Sequence, residues 1–277
     1  MIQSTQKNPL IATLLSILLP GAGQLYKRQP NKTILFYALL LLLPIIFVSS
    51  GWQYHFWGLA AFTFFIFTLY LLNIGDAFLT AAKIKTRVGQ PVTKWPLMLL
   101  LIFLGTNVYA IAEDSNVVGV RAFAITGNSD TPTMEVGDYI IAGTKHFKTN
   151  DPQRGELIMF RHSRYPFLTK RVVAVGGDLI EGKDQKIYVN GKLLDEPYAH
   201  YSGGKESLDD FNRQHVKDDF GPITVPDNHF FVMGDNRDNS FDSRDPEFGP
   251  VKQDAIKGKP LYIYWARNKA RIGKAIK

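Results

Sequence analysis

The chain has 277 residues and no cysteine. That is enough for one domain plus a membrane anchor or for two small domains, and it excludes disulfides, zinc–thiolate sites and thiol nucleophiles. The net charge of +7 is unevenly spread: up to Glu113 there are eight Lys and Arg against two acids, and beyond it twenty-four against twenty-three. The basic excess lies beside apolar runs rather than on a folded domain, which argues against a nucleic-acid reader and for a membrane.

Residues 34–48 (ILFYALLLLLPIIFV), 56–72 (FWGLAAFTFFIFTLYLL) and 97–112 (LMLLLIFLGTNVYAIA) carry no charge, and with their flanks each approaches the ~20 residues that span hydrocarbon. They predict three transmembrane helices, at about 33–50, 56–73 and 96–112, within a membrane region covering residues 1–113. Trp52, Tyr54, Trp57 and Trp95 stand at the ends of these runs, where amphipathic rings prefer the headgroup level. Leu10 to Leu19 is shorter and is stopped by Pro20-Gly21, so an interfacial or re-entrant segment is expected at 9–20, with a complete fourth span left open. It does not read as a cleavable signal peptide, because a basic loop and further spans follow it. Lys27, Arg28 and Lys32 precede the first span, Lys83, Lys85, Arg87 and Lys94 separate the second from the third, and Ser49 to His55 has no Lys or Arg. The positive-inside rule places both basic loops in the cytoplasm and delivers everything after about Asp114 to the far side of the membrane.

From Val117 the chain changes to short runs rich in Val, Ile, Tyr and Phe, such as YIIAGT, ELIMFRH, KRVVAVGGD and HFFVMGD, separated by Gly, Pro, Asn and Asp. These are strand and hairpin signals, and Asn190-Gly191 between KIYV and KLL is a favoured two-residue hairpin turn. The fold expected for 114–277 is therefore β-rich, mainly antiparallel, behind an α-helical membrane region. A polar, glycine- and charge-rich stretch at about 198–222 is weak in strand signal and reads as an insertion or flap.

Three segments carry chemistry: Gly127 to Met134 (GNSDTPTM) with Gly137-Asp138 after it, Thr169 to Asp178 (TKRVVAVGGD), and Met233 to Arg244 (MGDNRDNSFDSR). Taken singly, each has a plain explanation. Ser129 is a turn serine, and Lys170, alternating with Val172 and Ala174 on one strand face, is a lysine leaning on apolar surface. The third segment has oxygen ligands at alternate positions but lacks the Gly and closing Glu of a calcium loop. Gly177 to Lys183 resembles a phosphate loop, yet Asp184 stands where Ser or Thr is needed and no helix is predicted to follow.

Together, S-x-x-P-T followed by G-D, then K-R-V-V-x-x-x-G-D, then G-D-N-R-D-N-S-x-D-S-R, in that order behind membrane spans, resembles the bacterial type I signal peptidases, or leader peptidases. The resemblance covers roughly Ile125 to Trp265 and not most of the first hundred residues, where three spans depart from the usual one or two. It implies a β-rich catalytic domain outside the cytoplasmic membrane that cuts signal peptides from exported preproteins after small residues. By motif position, Ser129 is the nucleophile and Lys170 its general base. Ser240 orients the lysine, and Asp242 with Arg244, and Arg171 with Asp235, brace the site. The partners expected are preproteins and membrane lipid, with no nucleic acid, no metal and no cofactor.

The chemistry is consistent with those residue types. A serine hydroxyl is a weak nucleophile until a base takes its proton, and an exposed lysine is charged at neutral pH. Burial on an apolar strand disfavours the ammonium by up to ~3–5 pKa units, and a hydroxyl such as that of Ser240 can accept its hydrogen bond. No G-x-S-x-G is present, and none of the six histidines lies in these segments, so nothing suggests a Ser-His-Asp hydrolase. Two positions depart from the family pattern. Gly127 replaces a hydroxyl residue that helps hold the oxyanion, and Asp130 replaces a Met, placing a carboxylate beside the reaction unless it turns to solvent or pairs with Arg171. A non-catalytic homologue that binds export substrates or partners is therefore the alternative reading. A transport protein is disfavoured because the three spans hold no ionisable residue.

Overall fold

The computed structural model describes residues 4–81, 83, 85–87, 118–201 and 219–277. The third expected span and residues 202–218 of the polar insertion lie outside the described residues. The chain divides into two compact units, Met1–Val118 and Gly119–Lys277.

In the first unit a short strand β1 (Ser4–Gln6) pairs antiparallel with β2 (Lys85–Arg87). Between them run four helices: α1 (Pro9–Leu18), α2 (Ala22–Tyr26), α3 (Pro30–Ser50) and α4 (Phe56–Ala81). Helix α1 starts where the Asn8 side chain accepts from the Leu10 N–H, satisfying an orphan donor of the first turn. Pro30 opens α3 and Gly51, with φ 76°, closes it. Both α3 and α4 are long and apolar enough to cross a membrane. Their apolar side chains point outward, Phe64 being 73% exposed and Ile46 60%, so these are not core helices of a soluble protein.

Helix α4 runs to Ala81, past the expected end at 73, and so takes in Asp76. The carboxylate is tolerated there because Lys32 Nζ meets Oδ1 at 2.5 Å and the fully buried Lys27 meets Oδ2 at 3.3 Å. Gln24 Nε2 donates to the same carboxylate and to the Asn73 carbonyl. Small residues Ala12, Ala77 and Ala81, all 0% exposed, form the contact between α1 and α4. Small side chains let helices approach closely.

In the second unit every pairing between the described strands is antiparallel. Its strands are β3 (Val120–Ala124), β4 (Tyr139–Gly143), β5 (Leu157–Phe160), β6 (Leu168–Val175), β7 (Leu179–Lys183), β8 (Lys186–Val189), β9 (Lys192–Leu193), β10 (Phe220–Thr224), β11 (His229–Met233), β12 (Val251–Lys252) and β13 (Ile256–Trp265). One sheet has the order β12-β11-β6-β5-β13-β4-β3 and the other β10-β7-β8-β9. Asn190 and Gly191, at φ 53° and 75°, make the turn between β8 and β9 that only residues tolerant of positive φ adopt. Strand β10 occupies Phe220 to Thr224, so the C-terminal end of the polar stretch returns to the sheet.

One register feature corrects the sequence reading. Along β6, Val172 was expected to share a face with Ala174, but Phe231 pairs with Ala174 and Val232 with Val172, leaving Val173 unpaired in the ladder. Such a bulge puts two residues against one and resets the alternation. Val172 accordingly packs with Ile158, Phe160 and Val232, while Val173 and Ala174 pack together with Ile180 and Phe231.

Candidate active site

Ser129 lies in the turn-rich connection between β3 and β4. The turn is held from below by Met134, which is 0% exposed and packs with Ile140, Leu157 and Met159. Burying a side chain of that size stabilises the loop by ~1.5–3 kcal/mol. Met134 N–H donates to the Asp130 carbonyl at 2.9 Å, and the Asn236 N–H donates to the Ser129 carbonyl at 3.0 Å. From the far end of the chain, Arg271 donates to the carbonyls of Pro132 (3.3 Å) and Thr133 (3.0 Å) and pairs with Asp138 at 2.7 Å.

Lys170 comes from β6, opposite Ile158 of β5, and is 2% exposed. Its Nζ donates to Ser129 Oγ at 2.6 Å and to the Thr169 carbonyl at 3.0 Å. The nucleophile and base proposed from the motifs, 41 positions apart in sequence, thus meet at hydrogen-bond distance.

Arg171, next along the strand, is buried with Asp235 in a two-point pair, Nε to Oδ1 at 2.7 Å and Nη2 to Oδ2 at 2.6 Å. Its Nη1 donates to the Gly155 carbonyl at 2.6 Å, and its guanidinium lies 4.0 Å over the Tyr198 ring. Thr133 of the nucleophile loop also donates to Asp235, at 2.5 Å, so this carboxylate ties the serine loop to the lysine strand. Arg244 pairs with Asp242 through Nε to Oδ1 (2.9 Å) and Nη2 to Oδ2 (3.0 Å). Asp242 Oδ2 also accepts from the Gly234 N–H at 3.0 Å. Burial alone pushes the Asp242 carboxyl up, but the Arg244 charge and hydrogen bonds and the Gly234 N–H outweigh it and hold it below its ordinary range. Two of the third segment's three carboxylates, Asp235 and Asp242, are thus committed to arginines. Among the described residues no group of three His, Cys, Asp or Glu could hold a metal.

Ser240 is 1% exposed, and its Oγ has no partner in good hydrogen-bond geometry, although it lies close enough to Asp242 to help hold that carboxyl down. The expected bond to Lys170 is not formed; Lys170 Nζ donates instead to Ser129 Oγ and to the carbonyl of its own neighbour Thr169. Ser240 packs instead against Gly234, where an added Cβ would sit 2.4 Å from its Oγ. Gly127 is exposed, with nothing within 4 Å of where a side chain would begin. Asp130 neither turns to solvent nor pairs with Arg171. It is 6% exposed, accepts from Ser129 Oγ on Oδ2 at 3.2 Å, and leaves Oδ1 buried without a partner. Burial pushes its carboxyl up to about 6, with Lys170 opposing the rise and Asp235 adding to it.

Residues 98–265 match the family model described as signal peptidase, peptidase S26. The chain belongs to that family. The match reaches further towards the N-terminus than the motifs do and begins beyond α4. The signal peptidase I S of Bacillus subtilis (strain 168) is 33% identical over 149 residues, which cover 54% of this chain and 79% of that protein. The signal peptidase IB of Staphylococcus aureus (strain COL) is 32% identical over 155 residues, covering 53% and 78%. A solved structure of a signal peptidase I from Enterococcus faecalis V583 aligns at 33% identity over 40% of this chain and 97% of that one, with a TM-score of 0.31. Signal peptidases I are membrane-anchored, and α3 and α4 suit that anchoring.

Two contributors to this candidate site had no signal in the motifs: Arg271 clamps the serine loop, and Glu196 pairs with Arg237 at 2.6 Å. Arg237 Nε in turn donates to the Gly234 carbonyl at 3.0 Å. Thr133, the last residue of S-x-x-P-T, ties the serine loop to Asp235, a contact the motif alone did not assign. The start of the polar stretch runs beside the third segment, His200 N–H donating to the Asp235 carbonyl and Arg237 N–H to the His200 carbonyl.

Proposed function

We propose that this protein is a membrane-bound serine endopeptidase that removes N-terminal signal peptides from exported preproteins after small residues, with Ser129 as nucleophile and Lys170 as general base. The observation that carries the roles is the 2.6 Å contact between Lys170 Nζ and Ser129 Oγ at a lysine that is almost wholly buried. Neutral Lys170 takes the hydroxyl proton as Oγ attacks the scissile carbonyl carbon. The proton passes to the leaving amine, and the acyl-enzyme forms. Lys170 then deprotonates a water that attacks the ester, and its proton returns to Ser129 Oγ as the acid product leaves. The Ser129 N–H serves the oxyanion, without a side-chain donor from Gly127. Arg171 with Asp235, and Arg244 with Asp242, keep strand and loop in register. Ser240 fills the space under Gly234 beside the dyad.

The catalytic unit acts on the outer side of the cytoplasmic membrane. Support for that side comes from the two basic loops flanking the first two spans, because Lys and Arg in short loops stay in the cytoplasm. The membrane region then comprises three spans, the third at about 96–112, and the substrates are preproteins presented at the lipid surface. Digestion of the C-terminal half in intact spheroplasts is expected. Its protection until lysis would reverse the orientation.

A second reading, a homologue that holds export substrates without cutting them, is favoured by one observation: Asp130 takes the hydrogen bond of the very hydroxyl that must react. Incubating the detergent-solubilised full chain with a preprotein separates the two. Cleavage that disappears in Ser129→Ala supports the peptidase, and a folded wild-type protein that binds the preprotein without cutting it supports the second reading.

A further inference from the structure

Resting on the reading of Ser129 and Lys170 as nucleophile and base, we propose that Asp130 is a positioning residue of the dyad. In the resting enzyme it holds the Ser129 hydroxyl proton and the Lys170 positive charge, so that the pH at which the protease becomes active is set by the charge at residue 130.

The argument starts from the direction of the hydrogen bonds. Lys170 Nζ donates to Ser129 Oγ, and Ser129 Oγ donates onward to Asp130 Oδ2. In this chain the serine proton points at the carboxylate and away from the lysine that is to receive it. For Lys170 to act as base, the ammonium must lose a proton and the hydroxyl must swing towards Nζ. A negative Asp130 opposes both steps, since it attracts the hydroxyl proton and stabilises the ammonium. The two bonds, 2.6 and 3.2 Å long, put Nζ and Oδ2 no more than 5.8 Å apart. At that distance the carboxylate and the ammonium attract each other directly, with little intervening solvent to screen them.

The rest of the surroundings leave the carboxylate little other use. From β6 it faces Lys170 and Arg171, and from the loop after β11 it faces Asp235. Arg171 is committed to Asp235 through both of its forked nitrogens. With Oδ1 buried and unpartnered, Asp130 is a charge whose principal compensation is the dyad itself.

The test is kcat/KM of the purified full-chain protein in detergent micelles against pH, using a synthetic peptide that spans a signal-peptide cleavage site with alanine before the cut. Wild type is compared with Asp130→Asn and Asp130→Glu. The acid limb of the Asp130→Asn profile is expected to lie about one to two units lower, while Asp130→Glu, which restores the charge, returns it towards wild type. Superposition of the Asn and wild-type profiles would overturn the proposal, as would a fall in rate at every pH without displacement of the limb. Asp130→Met reads the same shift with no hydrogen-bonding group. If both Asn and Met variants fail to fold, Asp130 is a structural residue and the proposal falls. Cleavage surviving in Lys170→Ala would instead refute the dyad reading, which this comparison leaves distinguishable.

Discussion

Replacing Gly234 by alanine should disable the peptidase while only modestly weakening its fold. A Cβ at this position would sit 2.4 Å from the Ser129 carbonyl oxygen, 2.4 Å from Ser240 Oγ and 2.6 Å from Ser240 Cβ, against ~3.5–4.0 Å for unstrained contacts. About 1 Å must be found on each side. Gly234 cannot retreat easily, because its N–H is bound to Asp242 and its carbonyl accepts from Arg237. The serine loop is the part that gives, and a displacement of about 1 Å stretches the 2.6 Å Lys170–Ser129 contact out of hydrogen-bond range. A misplacement of that size typically costs ~10²-fold in rate, and overpacking a filled site costs ~1–3 kcal/mol. The assay is kcat and KM on a preprotein together with thermal unfolding. We expect kcat to fall ~10²-fold with KM little changed, and Tm to drop by roughly 2–10 °C. Gly127→Ala, which adds the same methyl group in open space, should leave both unchanged. A Gly234→Ala enzyme that loses stability but cleaves at the wild-type rate would refute the link from this clash to the dyad.

Ser129→Ala and Lys170→Ala should each abolish cleavage, and the double variant should be no worse than either, because nucleophile and base act as a unit; additive losses measured in single-turnover kinetics would contradict this. Arg171→Met leaves Asp235 a buried charge without its partner and should cost ~3–5 kcal/mol in unfolding free energy, with much of the loss recovered in Arg171→Met/Asp235→Leu. Denaturant titration checks both, and a single variant of wild-type stability would show that the pair is not buried in solution. Asp130 gives a pH signature of stability: its carboxyl is raised to about 6 in the fold, so the native state binds the proton more tightly than the unfolded chain. Its contribution is full below the ordinary Asp value near ~4 and is lost as pH rises through about 6, roughly 3 kcal/mol in all. Asp130→Asn should therefore gain on wild type between pH 4 and 7, and a constant gap across that range would refute it.

The contact between Ser129 and Lys170 was legible only through the resemblance carried by three motifs in fixed order, since a turn serine and a strand lysine each have a plain explanation when taken alone. The architecture followed from composition, since charge-free runs and alternating β-branched runs cannot exchange roles. Less was legible wherever a contact depends on register or on distant chain. The bulge at Val173 breaks the alternation that had put Val172 and Ala174 on one face. The clamp by Arg271 joins residues about 140 positions apart, and nothing near Arg271 announces it. Helix α4 passes Asn73 and Asp76 because Gln24 of α2, Lys27 just after it and Lys32 in the first turn of α3 meet them, a compensation no local pattern reveals. The orientation of Asp130 is of the same kind. Solvent or Arg171 were the cheap partners for a carboxylate, but Arg171 is spent on Asp235, and the nearest remaining donor is the nucleophile.

The length of the third segment has a physical reason that concerns one backbone position. Gly234 binds Asp242 through its N–H and Arg237 through its carbonyl, and its Cα lies against the Ser129 carbonyl. Each charge brought in to hold it must itself be neutralised, since an unpaired buried charge costs several kcal/mol. Asp242 therefore needs Arg244, Arg237 needs Glu196, and the adjacent Asp235 needs Arg171. Such pairs add little net stability but admit few alternative arrangements, which suits a loop that must fix a nucleophile to within a fraction of an ångström. Neither departure from the family pattern hydrogen-bonds to the ion pairs of that frame. Gly127 is exposed in open space, and Asp130 spends its hydrogen bond on Ser129. Adding a hydroxyl at 127 or removing the charge at 130 should consequently alter the oxyanion and protonation chemistry of the site while leaving the ion-paired scaffold, and with it the placement of Lys170, as it is.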